Sequence, residues 1–310
     1  MSVSSILGVP IANIAKVNGV PIANIKSWNG EEISTAANVP FTMEYVIPSD
    51  SLSLTLPLNS GNGSTFNCVV DWGDSSTSTI TAVDDPDRIH TYASAGTYTV
   101  TIAGTCEGWN FNNTGDRLKL TKVISFGSGT SFGGFKYLAG GFYGCSNLTT
   151  LGSDPIKPSG NGVSSFSCCF YACTSLTGIP VDIFRYNTNA ISFSFCFSDC
   201  TSLTSLPVDI FRYNANAITF FSCFTDCTSL TLRSDIFYPA GGQTTRFLNQ
   251  SVDFFNCFYR DSFTGTQGTA PDLWNCSFGT GTPTRTICFG GPGNSTTSIS
   301  NYNDIQSEWK

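Results

Sequence analysis

The sequence predicts a mainly β protein with three parts: an N-terminal extended repeat segment (1–38), a small β-sandwich (39–105) and a C-terminal repeat solenoid (106–310). The chain contains 25 Phe but only 2 Met, and 12% of its residues are charged. This composition favours aromatic β cores over helix bundles. Short alternating strands separated by turn residues follow residue 39. A 27-residue period occupies the C-terminal half, and a fixed period in this range is typical of solenoids.

The overall composition limits the class of partner. With 310 residues the chain is long enough for more than one compact unit. The net charge of −7 and the lack of any Lys/Arg cluster argue against nucleic acid, because such binding depends on neutralising phosphates. The N-terminus has no basic region followed by an apolar run, and no stretch reaches about 18 apolar residues. We therefore expect neither Sec export nor membrane insertion.

An 11-residue repeat defines the first part. Residues 8–14 recur identically at 19–25, and the Asn-Gly pairs at 18–19 and 29–30 are strong signals for tight turns. The segment is too short to bury its own apolar side chains. We therefore expect it to attach to another chain by adding strands to a sheet, with candidate contacts at Ile11, Ile14, Ile22 and Ile25. The alternative is a flexible leader whose repetition is incidental.

Residues 39–105 carry three landmarks in order: Asp71-Trp72-Gly73-Asp74, then His90-Thr91-Tyr92, then Gly96-Thr97-Tyr98-Thr99-Val100. These elements resemble the PKD domain, an immunoglobulin-like sandwich that is common in extracellular and adhesive proteins. Ser75 stands where that family usually has a second glycine. The resemblance implies a structural place for His90.

The same segment holds the residues that could form a catalytic or metal site. Asp71 and Asp74 could act as an acid–base pair or share a cation. Short Asp side chains beside glycine more commonly cap their own turns, and Ca²⁺ normally needs about six or more oxygen ligands. His90 is the single histidine and has no Ser or Cys partner at a recognisable motif spacing. We therefore predict a protein without enzyme activity, catalytic residues or cofactors.

The repeats are clearest where Cys173-Thr-Ser-Leu-Thr recurs at Cys200 and at Cys227. An earlier copy starts at Cys145, and degenerate copies follow residue 258. Ile191, Phe193, Phe195 and Phe197 alternate with Ser or Cys, which predicts a strand with one apolar face. Stacked copies would then align apolar columns of Phe (with Phe166, Phe170, Phe220 and Phe224), of Leu (Leu176, Leu203 and Leu230) and of Ile (Ile183, Ile210 and Ile236).

The 13 cysteines also follow the repeat. Cys169, Cys196 and Cys223 are each followed by a second Cys four residues later. Zinc sites need ligand pairs that converge on one point, whereas these pairs would lie along a line. In-register neighbours also fit disulfide geometry poorly. We therefore predict buried free thiols and no metal site.

Two further resemblances imply a function. The repeat text, with Cys-Thr-Ser-Leu-Thr followed by Leu-Pro and Asp-Ile-Phe, resembles the BspA-like leucine-rich repeats of bacterial and mycoplasmal surface proteins over about residues 118–290. It implies a solenoid of leucine-rich-repeat type that is associated with adhesion. Lys16-Val17-Asn18-Gly19-Val20 resembles the beginnings of many virion proteins of tailed bacteriophages. Together they imply a virion surface protein, as a capsid decoration, head fibre or tail component.

The expected partners follow from this interpretation. Residues 1–38 would bind other virion proteins, and the solenoid would face a host-surface glycan or protein, with many copies or a homo-oligomer in each particle. Candidate contacts are Arg185, Tyr186, Arg212 and Tyr213, which recur in phase; the alternative is a solvated turn. A cell-surface adhesin of a bacterium or protist is the alternative function. A virion glycan depolymerase, with carboxylates among Asp182, Asp209 and Asp235, is the enzymatic one.

Overall fold

The computed structural model describes residues 38–238 and 245–310, together with three short strand pairs within residues 1–37. Its regular secondary structure is mainly β, and the helices of the described residues are 3-10 turns of three residues each. The prediction of a mainly β protein is therefore confirmed.

The three N-terminal strand pairs follow the sequence repeat. β1 (Ser5–Ile6) pairs antiparallel with β2 (Val9–Pro10), β3 (Lys16–Val17) with β4 (Val20–Pro21), and β5 (Ser27–Trp28) with β6 (Glu31–Glu32). Each pair recurs after 11 residues and leaves two residues between its strands. In the second and third pairs these residues are Asn-Gly, which favours two-residue hairpins. Ile11, Ile14, Ile22 and Ile25 fall outside the described residues.

A five-stranded antiparallel sheet forms the next part. Its strands are β7 (Phe41–Ile47), β9 (Phe66–Asp71), β10 (Thr77–Ile80), β12 (Gly96–Cys106) and β13 (Leu120–Phe126), in the order β10-β9-β12-β7-β13. β8 (Leu52–Thr55) and β11 (Ile89–Tyr92) form a separate antiparallel pair. Because β13 begins at residue 120, the sheet continues beyond the expected boundary at residue 105.

Alternation along the strands sends one set of side chains into the core, as expected for a half-buried sheet. Phe41, Met43 and Tyr45 of β7 are fully buried. Trp72, which follows β9, is also fully buried, and its carbonyl oxygen accepts a hydrogen bond of 2.9 Å from the hydroxyl of Tyr92 on β11. A buried carbonyl needs a hydrogen-bond partner. Here the partner comes from β11, so the bond joins the two-stranded pair to the larger sheet.

The C-terminal half stacks its copies in parallel. Isolated parallel bridges join Ser165 to Ser192 and Ser192 to Thr219, and the series continues through Asp253 to Thr284. The backbone N–H groups of Phe193, Phe195 and Phe197 donate to carbonyls of the next copy at 2.8 to 2.9 Å. The carbonyls of residues 192, 194 and 196, which belong to the same peptide groups, accept from the preceding copy. Alternate peptide groups therefore all point the same way along the stack.

The prediction of a strand over residues 191–198 is wrong, because most of these residues form turns. The intervening N–H groups make turns within the copy, such as Cys196 N–H to the Phe193 carbonyl at 3.1 Å. Phe195 has φ of 54°, in the left-handed region that reverses the local direction of the chain. As a result Phe193, Cys196 and Phe197 point inward, whereas Phe195 is half-buried and Ile191 is 49% exposed.

The aligned apolar columns are confirmed. The rings of Phe193 and Phe220 are 5.9 Å apart and nearly parallel, and those of Phe197 and Phe224 are 5.5 Å apart. All four are buried, as are the predicted Leu and Ile columns (Leu176, Leu203 and Leu230; Ile183, Ile210 and Ile236). Burying each ring contributes roughly 1.5–3 kcal/mol, but one copy alone leaves both faces of its rings bare.

Buried amides satisfy the carbonyls at one corner of the stack. Asn187 donates from Nδ2 to the Ile156 carbonyl at 2.8 Å, and Asn214 donates to the Asn187 carbonyl at 2.8 Å. Arg246 supplies the next rung, with Nη2 2.8 Å from the carbonyl of Phe211. A guanidinium thus continues the asparagine ladder where the repeat spacing lengthens from 27 to 34 residues, between Thr219 and Asp253.

The sheet and the repeats share one core. β13 continues into the stack, because the Val123 N–H donates to the Thr150 carbonyl at 3.1 Å. The ring of Phe41 on β7 lies 5.2 Å from Trp109 and 5.1 Å from Phe135. The buried apolar residues of the sheet and of the repeats form a single cluster, so the sheet covers the first repeat as a cap does.

Candidate binding surface

The four residues expected to make contacts in the repeats come together on one face. In each copy Asp182 or Asp209 adopts a positive φ, of 63° or 46°. The following N–H groups of Arg185 and Arg212 close a turn on these residues at 2.9 Å. Because Ile and Phe of the Asp-Ile-Phe element point into the core, the arginine and tyrosine that follow point outward.

These side chains form an alternating row, which we name the Arg–Tyr ladder (Arg185, Tyr186, Arg212 and Tyr213). The guanidinium carbon of Arg185 lies 5.6 Å from the ring centre of Tyr186 and 5.5 Å from that of Tyr213. The guanidinium of Arg212 lies 4.7 Å from Tyr213. Contacts of this kind are worth about 0.5–1 kcal/mol at exposed sites, so they hold the four groups in place across two copies.

An acidic residue of the preceding copy fixes Arg212. Nη2 of Arg212 lies 2.6 Å from Oδ1 and 2.7 Å from Oδ2 of Asp182. Burial lowers the pKa of Arg212, but the hydrogen bond and charge of Asp182 outweigh it, and the pKa is raised. This pair was not expected from the sequence, although the 27-residue period places Asp182 one copy before Asp209 and so beside Arg212.

Exposed apolar side chains precede the ladder residues in each copy. Val181 is 60% exposed and Val208 43%, and Tyr186 of the ladder itself is 49% exposed. Exposed apolar groups next to arginine and tyrosine are typical of interaction surfaces, since Arg and Tyr are enriched at the centres of interfaces. The surface can therefore offer hydrogen bonds, a ring face and apolar area to one partner.

Two of the three repeated aspartates are paired with arginines, whereas Oδ1 of Asp209 is buried without a hydrogen-bond partner. Asp182 holds Arg212, and Asp235 accepts two bonds of 2.8 Å from Arg233. Burial raises the pKa of Asp209, and Arg246 and Arg212 oppose that rise. A cavity of about 290 Å³ lies beside Arg233 and Asp235 and is lined mostly by polar groups. The carboxylate of Asp235 beside this cavity is paired with Arg233.

Asp71 and Asp74, next to the sheet, cap their turns, as expected. Asp71 accepts from the Gly73 N–H at 2.9 Å, and Asp74 accepts from the Ser76 N–H at 3.0 Å. Nε2 of His90 lies 2.7 Å from Asp74 and 3.4 Å from the Ser76 hydroxyl. The structure therefore brings a serine to His90, which sequence spacing did not indicate. Both groups share one ring nitrogen, whereas a catalytic triad uses the two nitrogens for different partners.

The ring of His90 stacks on Trp72, with centres 4.9 Å apart and an angle of 18° between the planes. Burial raises the pKa of Asp74, but hydrogen bonds from Ser76 and His90 outweigh it, so the pKa is lowered. The histidine therefore joins the turn to the buried Trp and has a structural role here.

The cysteines form no disulfides, and most of them are buried. All 13 cysteines are free, and Cys168 alone is half-exposed. Among the described residues, no three His, Cys, Asp or Glu side chains are placed to hold a metal ion. In the same part of the chain, no helix has the length and apolar character needed to cross a bilayer.

Comparison with known proteins gives no family. No family model matches the sequence, and no curated protein matches it.

Proposed function

We propose that this protein is a structural and adhesive component of a bacteriophage particle. Residues 1–38 anchor it to a capsid or tail protein, a PKD-like β-sandwich follows, and a solenoid of leucine-rich-repeat type faces outward. The function is binding, without a chemical step.

The three repeated hairpins within residues 1–38 are the observation that carries the proposal. Three hairpins recur every 11 residues with the same spacing, as Ile6 opposite Val9, Val17 opposite Val20 and Trp28 opposite Glu31. Two-stranded hairpins are marginal on their own in water, so a row of them is suited to pairing with a partner's sheet. The likeness of this segment to the beginnings of phage virion proteins supports the same interpretation.

The Arg–Tyr ladder supports the adhesive part of the proposal. Arg185, Arg212 and the exposed ring of Tyr186 lie on one face of the stack. A host-surface glycan or protein can stack on such a ring and accept hydrogen bonds from a guanidinium. Because the groups are held by contacts between copies, little side-chain freedom is lost on binding.

Removal of the N-terminal segment tests the anchoring role. The deletion should end before Asn38, because its Oδ1 accepts a bond of 2.7 Å from the Thr130 N–H. We expect a chain that begins at Asn38 to fold but to be missing from purified particles, as measured by mass spectrometry. A full-length variant with Tyr186→Ser and Tyr213→Ser is the control and should incorporate normally while binding host cells less well. Normal copy number of the truncated chain would show that attachment lies elsewhere.

A further inference from the structure

A second row of side chains runs along the outside of the stack, apart from the Arg–Tyr ladder. We name it the outer aromatic row, and it consists of Tyr143, Tyr171, Phe195, Phe221 and Phe255. Each belongs to a different copy and each is half-buried. The rings follow one another with centre distances of 4.6, 6.0, 5.0 and 5.3 Å, so they form one continuous line.

These rings lie outside the buried core. The interior is already filled by two Phe columns, for example Phe193 with Phe220 and Phe197 with Phe224. The outer rings stack on one another and leave part of their aromatic surface in water, where it can be covered by a partner.

The outer aromatic residue does not occupy the same position in every copy. The hydrogen bonds between copies place Tyr171 beneath Ser198, and Phe221 above Ser194. Phe195 likewise lies in register with Ser222. The aromatic residue therefore changes its position between Tyr171, Phe195 and Phe221, and the rings still meet in one line. Tyr143 is in register with Tyr171, and Phe221 with Phe255. Serine occupies the equivalent positions at 194, 198 and 222, so the stack folds without a ring there.

From Tyr171 onward the charges beside the row have one sign, whereas Arg117 approaches Gly144 next to Tyr143. Asp199 and Asp226 are half-buried next to the row, and Asp261 is exposed. The five segments that form this face (138–145, 164–172, 191–199, 218–226 and 252–261) contain one cation, Arg260. That side chain is 2% exposed and is turned inward, with Nη1 2.9 Å from the Leu230 carbonyl. The face is therefore apolar and acidic.

The ring geometry selects between classes of partner. Tyr143 stacks on Tyr171 with 12° between the planes, and Phe221 on Phe255 with 10°. One face of each of these four rings is therefore covered by a stacked neighbour, which reduces the ring face open to solvent, whereas Phe195 meets Phe221 at 61°. A sugar needs a free ring face for stacking, whereas apolar side chains of a protein pack well against ring edges. Ile191 and Ile218, 49% and 40% exposed, add apolar surface at the start of two of the five segments.

We propose that the outer aromatic row is a docking surface for a basic, apolar segment of a protein partner. Apolar side chains of the partner pack on the ring edges and on Ile191 and Ile218, and its Lys or Arg residues lie beside Asp199, Asp226 and Asp261. Complementary charges fix the register and speed association. This surface is separate from the Arg–Tyr ladder, and the inference does not depend on attachment to a virion.

The test uses the full chain and labelled amphipathic helical peptides of about 18 residues, long enough to follow the row at roughly 1.5 Å per residue. One peptide has a Leu face and Lys elsewhere; the controls replace Lys by Glu, or Leu by Ser. We expect the Leu/Lys peptide to bind at least about tenfold more tightly than either control, by fluorescence anisotropy. Added salt should weaken this binding.

The matched variants use residues that the repeat itself accepts. Tyr171→Ser, Phe195→Ser and Phe221→Ser together should weaken binding of the Leu/Lys peptide by at least about tenfold. Val46→Ser with Val69→Ser, on the outer face of the sheet where the two valines are 38% and 48% exposed, should leave binding unchanged. Phe221→Ser alone replaces the triple variant if that does not fold.

Three results would overturn the proposal. One is a wild-type chain that binds the Leu/Lys peptide no better than the controls. Another is a folded triple variant, or a folded Phe221→Ser, with unchanged affinity. The third is binding of a neutral oligosaccharide that is lost in the triple variant, which would assign the row to a glycan.

Discussion

Glu107 is a buried carboxylate that joins the sheet to the repeats. It accepts hydrogen bonds of 2.9 Å from the Thr65 N–H and from the Thr65 hydroxyl, and another from the hydroxyl of Ser159. Burial raises the pKa of Glu107, but these bonds and the charge of Lys136 outweigh it, and the pKa is lowered. The ionised form is therefore the one that holds Thr65 to Ser159.

We predict that Glu107→Gln lowers the free energy of unfolding at neutral pH by about 1–3 kcal/mol, because it leaves buried donors without an acceptor. A lowered folded pKa stabilises the protein above the unfolded value of about 4.3, and this contribution is lost as pH falls through the folded pKa. The cost of the substitution should therefore shrink in acid. Urea unfolding at pH 7 and near pH 3 measures it; an equal cost at both values would contradict the role of the charge.

The cysteines should be almost inert in the folded protein. Burial raises the pKa of Cys169, Cys196 and Cys223, and the thiolate is the reactive form. A hydrogen bond with Cys106 lowers the pKa of Cys68, but that thiol is 3% exposed.

We predict that a thiol reagent labels at most Cys168 in the native state and all 13 cysteines after unfolding. Mass spectrometry counts the labels. Cys168→Ser is the control and should remove the native label. Rapid native labelling of several thiols would show that the repeats open.

At the scale of one repeat, stability should depend on which way a side chain points. Phe197 is fully buried between Phe170 and Phe224, at 5.4 and 5.5 Å. We predict that Phe197→Ala costs about 3–5 kcal/mol, because it opens a cavity in a column. The exposed Ile191 of the same copy is the control, and Ile191→Ala should cost within about 0.5 kcal/mol. Equal costs in urea unfolding would contradict the observed direction of the side chains.

The same repeat shows what the sequence can predict. The period alone fixes which residues lie above one another, so the Phe, Leu and Ile columns and the neighbours in the Arg–Tyr ladder could be derived from it. The conformation of residues 191–198 could not. Alternation of Phe with Ser is typical of a strand, but the positive φ of Phe195 and Asp199 depends on turns that stacking stabilises. The Asp182–Arg212 pair needed the register of two copies, and the serine beside His90 needed the fold of the turn.

Over the whole molecule, the sheet and the stack are joined by backbone pairing and by a common core. The rings of Phe41 and Phe126 on the sheet contact Phe135 and Phe142 of the first repeats. In repeat proteins the end of a stack must be covered, because a terminal copy leaves its apolar face bare. The sheet performs this task here, so it contributes stability to the repeats as well as length to the protein.

Two truncations test this dependence. We predict that a chain beginning at Asn38 unfolds in one cooperative transition with the midpoint of the full chain, because no buried residue of the described core precedes Phe41. A chain beginning at Gly127 lacks all five strands of the sheet and exposes Phe132, Phe135 and Phe142, which are fully buried in the intact protein. It should lose cooperative unfolding or aggregate, since the freed apolar surface has nothing to pack against. Calorimetry and light scattering of both chains make the measurement. If the chain from Gly127 unfolds at the same midpoint as the chain from Asn38, the sheet is an independent module and the common core does not couple the two parts.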